Sequence, residues 1–207
     1  SRILSEQINY PFIIKQGNFC LYHGLHYSFP LFATCPKIVT VHDLTYFTNP
    51  GRHIFLKRIY FQFFIRQACK KVDNILAISN NTQTDLLKLL RCDSQKITVT
   101  QLGVDEIYFE NKTDFELEKA RQKYDLPEKF VLFMGLIEPR KNVPLLIRAY
   151  LSLLDKFHLD HHLVIAGRWG WESKNILEEI ELHSQKSKIH FLGYVNENDK
   201  PVLYQLA

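Results

Sequence analysis

Short, almost wholly apolar runs alternate along this chain with longer stretches whose apolar positions recur at helical spacing. The first series reads "NFCLYHG" (18–24), "KIVTVHDLT" (37–45), a helical stretch from about Arg52 to Val72, "NILAIS" (74–79), a helix from about Asn81 to Leu90, and "KITVTQLG" (96–103). Ser79, Asn80 or Asn81 supplies the N-cap of that second helix. Several strand runs are apolar throughout rather than alternating, which predicts burial on both faces, as in a parallel sheet covered by helices.

After "LGVD" the pattern loosens into a polar stretch with room for at most one short helix, and a second series then begins: "FVLFMG" (130–135), "HLVIAG" (162–167) and "KIHFLG" (188–193). Between these runs the spacing predicts a helix from about Asn142 to Lys156, with Leu145, Leu146, Ala149, Tyr150, Leu153 and Leu154 on one face, and another over 173–185. The chain therefore divides into a first α/β domain over 1–107, a linker over 108–128 and a second α/β domain over 129–207.

Composition narrows the partners. With 207 residues, 46% hydrophobic and 23% charged, there is material for one large domain or two modest ones. A net charge of +4 without any basic run argues against nucleic acid and suits small anionic ligands. The four cysteines, Cys20, Cys35, Cys69 and Cys92, have no close Cys/His spacing, so neither a zinc site nor a disulfide framework is expected, and a reducing cytoplasm is the default. No apolar run is long enough to span a bilayer, and "SRILSEQINYPF" lacks the regions of a signal peptide. A start without Met and an uncapped "LYQLA" end suggest a segment of a longer protein.

In open parallel sheets ligands bind beyond the carboxyl ends of the strands. In the second series the loops there are "GLIEPRKN", "GRWGWE" and "GYVNEND", each opening on a glycine: Gly135, Gly167 and Gly193. These glycines serve either tight turns or close backbone approach to a ligand. Pro144 belongs in a first helical turn, so Arg140 and Lys141 should crown a helix N-terminus. Cations there oppose the helix dipole, and a bound phosphate or pyrophosphate resolves the conflict. In the first series His42 and Asp43 end a strand. His23 and His26, three residues apart, lack a third candidate metal ligand. The stretch 52–72 mixes aromatics with basics that do not gather on one face, which favours burial of an apolar side with basic residues at its margins over a membrane-surface helix.

The segments "ILAISNNTQTDLLKLL…KITVTQLGVD", "FVLFMGLIEPRKNVPLLIRAY", "HLVIAGRWGW" and "IHFLGYVNENDKPVLYQLA" resemble, in order and spacing, glycosyltransferase family 4. These are retaining enzymes of GT-B fold, and the likeness is to their mannosyltransferase-like members, which also carry a "VHDL" turn. The resemblance covers nearly the whole chain. It implies an α/β GT-B architecture of two Rossmann-like domains with parallel sheets, both truncated: the C-terminal part of the acceptor-side domain and the N-terminal part of the donor domain.

The same resemblance implies transfer of a hexose, for which mannose is one candidate, from a nucleotide-diphosphate sugar to a saccharide or lipid-linked acceptor with retention, in polysaccharide or glycoconjugate synthesis. The donor is a substrate held in the cleft between domains, and no cofactor or metal is implied, in keeping with the lack of a DxD motif. Arg140 and Lys141, with Gly135, match residues that hold the donor diphosphate. Val195, Glu197 and Lys200 match the nucleobase side, although Lys200 also reads as a solvated helix-start residue. His42 and Asp43 match the catalytic turn: His42 beside the transferred sugar or as a hydrogen-bonded structural residue, Asp43 fixing its tautomer or capping the turn. An acceptor-side role is open to the loop of His23 and His26. The implied location is cytoplasmic, with peripheral contact at the inner face of the membrane left open. The family's glutamate pair, seven residues apart, is expected beyond Ala207, and its N-terminal glycine-rich loop is missing. Two alternatives stand: a GT-B nucleotide-sugar epimerase, or a non-catalytic sugar-nucleotide-binding fragment. An NAD-dependent enzyme is disfavoured because GxGxxG is absent.

Overall fold

A computed structural model describes residues 4–157, 159–170, 180 and 183–207. The chain forms two compact units, Ser1–Gly103 and Val104–Ala207. In the first, a π-helical turn runs into α1 (Tyr10–Gln16), followed by β1 (Tyr22–Gly24), β2 (Lys37–Val41), α2 (Thr45–Thr48), α3 (Phe55–Lys71), β3 (Asn74–Ala77), α4 (Asn80–Leu90) and β4 (Ile97–Val99). The sheet has the order β1-β2-β3-β4, every pair parallel. The second unit holds α5 (Asp114–Tyr124), β5 (Phe130–Met134), α6 (Val143–Phe157), β6 (His162–Ala166), β7 (Ile189–Gly193) and α7 (Lys200–Leu206), with a parallel sheet ordered β5-β6-β7.

The expected parallel sheets are present, with differences that have local causes. Of "NFCLYHG" only Tyr22–Gly24 pairs, because the Tyr22 N–H donates to the Pro36 carbonyl, and Pro36 has no N–H with which to extend the ladder. Burial on both faces is met by β6, buried from Leu163 to Ala166, whereas β2 and β3 each bury alternate residues: Val39 and Val41, Ile75 and Ala77. Ser79 is the N-cap of α4: its hydroxyl accepts from the Thr82 N–H at 3.1 Å. The helix expected from Arg52 begins at Phe55, after a 3₁₀ turn at Pro50–Arg52. It buries Phe64, Ile65 and Ala68, but its start leaves Ile54, Phe55, Leu56, Ile59 and Phe63 exposed. Burial of an apolar side thus holds for its second half.

In the second unit α6 buries Val143, Ile147, Tyr150, Leu151 and Leu154, while Leu145 and Leu153 stay exposed. The helix is apolar around most of its circumference, so periodicity alone gives two admissible faces and the contact with β6 selects between them. Each such burial contributes roughly 1.5–3 kcal/mol. The polar stretch before β5 carries α5, opened by a capping box between Thr113 and Glu116. At its end Lys123 and the Tyr124 hydroxyl both meet Asp199 at 2.6 Å, fastening α5 just ahead of α7. The helix expected over 173–185 lies mostly outside the described residues; of its described positions, Ile180 is helical and buried and 183–185 form a turn.

Candidate functional site

The loops after β5 and β6 continue the sheet beyond its strands. The Gly135 N–H donates to the Ala166 carbonyl at 2.9 Å and the Gly167 N–H to the Gly193 carbonyl at 2.7 Å, so the three expected glycines lie level at the carboxyl ends of their strands. Further out, the Ile137 N–H donates to the Arg168 carbonyl and the Gly170 N–H to the Ile137 carbonyl. Gly167 is required by packing: a Cβ there would stand 1.8 Å from the Gly135 carbonyl oxygen. At Gly193 φ is +67°, and a Cβ would meet nothing within 4 Å.

Over this ledge opens a pocket of about 460 Å³ lined by Gly135, Gly167, Arg168, Tyr194, Val195 and Lys200, among others. Four of these, Gly135, Gly167, Val195 and Lys200, are expected from the sequence. Arg168 and Tyr194 are not, although both directly follow a strand-end glycine, and that position is the available signal. The Arg168 guanidinium stacks over the Tyr194 ring, 4.4 Å from its centroid. Lys200 pairs with Glu197 at 2.5 Å, and that hydrogen bond raises the Lys200 pKa. Glu197 itself is outside the pocket lining.

Arg140 and Lys141 occupy a 3₁₀ turn, Pro139–Lys141, separated from α6 by Asn142 in the left-handed region at φ +50°. They stand just before the helix rather than in its first turn. The Arg140 guanidinium donates to Glu138 at 2.7 Å; this carboxylate is 7% exposed while Arg140 is 57% exposed. Lys141 is exposed and makes no ion pair among the described residues. One cation of the pair is therefore tethered and the other free to meet a ligand.

In the first unit His42 follows β2. Its Nε2 lies 2.9 Å from the Leu25 carbonyl, an acceptor only, so Nε2 carries the proton and Nδ1 is left as acceptor in the neutral ring. The Asp43 carboxylate accepts from the Thr45 N–H at 2.9 Å and the Thr45 hydroxyl at 2.6 Å, which shapes the turn into α2. Thr82, at the start of α4, donates to the His42 carbonyl. Beneath this turn, burial and then the Asp43 charge push the Tyr27 phenol well above its usual range. His26 packs against Tyr27, His42 and Phe61, whereas His23 pairs with Thr40, so these two histidines face different partners. Among the described residues no three His, Cys, Asp or Glu side chains gather as a metal site, and no helix is long and apolar enough to cross a membrane.

Residues 2–107 match the family described as Glycosyltransferase Family 4, and residues 114–207 match Glycosyl transferases group 1. The chain belongs to glycosyltransferase family 4. Among relatives of this family 4 chain, the O-antigen chain mannosyltransferase B of Escherichia coli is 28% identical over 188 residues, which are 90% of this chain and 49% of that protein. The O-antigen chain mannosyltransferase RfbU of Salmonella typhimurium is 28% identical over 94% of this chain and 50% of its own length. The chain thus spans about half the length of the curated relatives it matches. In fold it resembles a glycosyltransferase from Rickettsia africae, with a TM-score of 0.69 at 22% identity over 99% of this chain and 54% of that one. It also resembles Anabaena HepE in complex with UDP and glucose, with a TM-score of 0.70 at 16% identity over 99% of this chain and 55% of that one. The α/β architecture of the family 4 chain is the GT-B fold.

Proposed function

We propose that the intact protein is a retaining hexosyltransferase. It moves a hexose from a nucleotide-diphosphate sugar to a saccharide or lipid-linked acceptor in polysaccharide or glycoconjugate synthesis. Mannose is favoured as the hexose because two relatives bear the names of O-antigen mannosyltransferases. The observation that carries this reading is the pocket at the ends of β5, β6 and β7, with bare glycine backbone at Gly135 and Gly167 and cations at Arg168 and Lys200. Bare backbone admits a ligand closely, and the cations suit an anion.

In this reading Lys141, Arg140 and the Gly135 backbone hold the donor diphosphate, and Val195, Glu197 and Lys200 border the nucleobase. The stacked pair Arg168 and Tyr194 adds a flat cationic wall to the pocket that Gly135, Val195 and Lys200 line, while Arg140, Lys141 and Glu197 stand outside its lining. Charge building on the departing diphosphate is met by these cations, so the chemistry is electrostatic and needs no metal ion. His42 presents its acceptor Nδ1 to a sugar hydroxyl, since its Nε2 hydrogen is committed to Leu25. Asp43 acts by holding the turn that carries His42.

The protein works in the cytoplasm, with peripheral attachment to the inner face of the membrane. The exposed start of α3, with Phe55, Leu56 and Ile59 beside Lys57 and Arg58, supports that attachment. The test is to incubate the full-length protein with a panel of nucleotide-diphosphate hexoses and candidate acceptors, and to assign the anomeric configuration of product by NMR. A product with the donor's configuration is expected. Epimerised nucleotide sugar, or binding without turnover of any donor, would overturn the reading.

A further inference from the structure

We propose that His53 is a positioning residue for His42: through Thr45 and Asp43 it clamps, from the start of α3, the turn that carries His42. The proposal rests on the reading of His42 as a sugar contact given above. His53 lies between the 3₁₀ turn Pro50–Arg52 and α3, in extended backbone at φ −122° and ψ 144°. Its ring reaches back to α2. There Nε2 lies 3.0 Å from the Thr45 hydroxyl, and the imidazole lies over the Tyr46 ring with 4.1 Å between centroids.

The proton count fixes the direction of these bonds. The Thr45 hydroxyl has a single hydrogen, and the Asp43 carboxylate, an acceptor, takes it at 2.6 Å. The Thr45 oxygen is then left to accept, so His53 donates from Nε2. Asp43 receives the Thr45 N–H on the same carboxylate oxygen. Imidazole, hydroxyl and carboxylate thus form a directed chain that ends on the residue next to His42. A second connection runs through rings: Tyr46 meets Tyr27 edge-on at 5.7 Å, and Tyr27 meets His42 edge-on at 5.8 Å.

The short helix α2 needs such support, because the single turn Thr45–Thr48 is too brief to hold helical conformation alone. Further along, α3 secures its body: Gln62 donates to the Tyr46 carbonyl at 2.6 Å, Phe61 packs on the Tyr46 ring, and the Arg66 guanidinium stands over Phe47. His53 instead reaches the first residue of α2, where the chain has just left His42 and Asp43. The His42 ring is held by Leu25 and its carbonyl by Thr82. His53 adds a third constraint, on the side of the turn that follows His42. Without it the turn is free to shift, and a displacement of about 1 Å at a reacting group costs up to about 10²-fold in rate.

The test uses the full-length protein and three substitutions. His53→Ala removes ring and donor, His53→Phe keeps a ring on Tyr46, and His53→Gln keeps a donor near the place of Nε2. His53→Ala and His53→Phe are expected to lower kcat about 10-fold or more with little change in donor KM, and His53→Gln to restore most of the rate. Hydrogen exchange at the Thr45 amide, read without substrate, should quicken in the first two variants and not in the third. In a His42→Ala background His53→Ala should add little, because it acts through His42. The proposal is wrong if kcat per folded molecule is unchanged in His53→Ala, if His53→Phe matches the unsubstituted protein, or if the loss in His53→Ala is undiminished by His42→Ala. Full activity in His42→Ala itself would instead bring down the reading of His42 and the proposal with it, while Thr45 exchange still shows whether the clamp exists.

Discussion

The Arg168 guanidinium stands 4.4 Å from the centre of the Tyr194 ring, so the loops after β6 and β7 meet in one flat cationic shelf within the pocket wall. A planar cation on an aromatic face is held in orientation, and either residue alone loses that support. Arg168→Ala is expected to weaken binding of a nucleoside diphosphate by roughly 1–2 kcal/mol. Tyr194→Leu should weaken it as well, and the double variant should cost less than the sum of the two. Isothermal titration of all three decides it; strict additivity would mean that the shelf does not act as a unit.

Arg140 and Lys141 are expected to separate in their effects. Lys141→Ala should cost roughly 1.5–3 kcal/mol in nucleoside diphosphate affinity while the nucleoside alone binds as before. Arg140→Ala should also lower thermal stability, because it strands the largely buried Glu138 carboxylate. Calorimetric titration with thermal melts of both variants tests the division, and equal melting temperatures would count against it.

For His42 the expected outcome is a loss of transfer of about 10²-fold or more in His42→Ala if a transition-state contact is removed. The lost hydrogen bond to Leu25 should cost only about 1 kcal/mol of stability. Steady-state rates and denaturant melts, measured side by side, distinguish a sugar contact from a folding role: a large stability loss with proportionate activity loss would assign His42 to folding.

The second unit should be sensitive to acid through His162 and His190, whose rings stack with Nδ1 and Nε2 2.7 Å apart. One shared proton satisfies the pair, while two would face each other. Burial first and the His162 charge second lower the His190 pKa, opposed by Asp125. A folded pKa below the unfolded value means that the unfolded chain binds the extra proton more readily. Stability is thus full above the unfolded value of about 6.5 and declines as pH falls through it. Unfolding midpoints between about pH 5 and 8 should show this slope, and His190→Phe should flatten it.

Phe55 and Leu56, exposed at the start of α3, are expected to matter at a lipid surface. Phe55→Ser with Leu56→Ser should reduce co-sedimentation with vesicles rich in anionic lipid, and Lys57→Glu should reduce it further by reversing a charge. Binding to anionic and neutral vesicles alike, unchanged by these substitutions, would remove this face from the account.

Strand runs, the Ser79 cap and the strand-end glycines were legible because each is fixed by local chemistry: apolar continuity, a hydroxyl before a helix, or a backbone without Cβ. The buried face of α6 was not, since Leu145 and Ile147 are equally apolar and only contact with the sheet separates them. Arg140 reads in sequence as the twin of Lys141, and nothing local reveals that Glu138 holds one and leaves the other.

The contact between Gly167 and the Gly135 carbonyl makes the pocket's floor a fixed gauge. Its width is set where two main chains touch, and no side chain can be trimmed or enlarged there to admit a different ligand. Selection for a new ligand must therefore act on the walls, through Arg168 or Tyr194. A saturation library should be silent at 167, where even alanine collides with backbone, and permissive at 193 only for residues that tolerate left-handed geometry, such as asparagine.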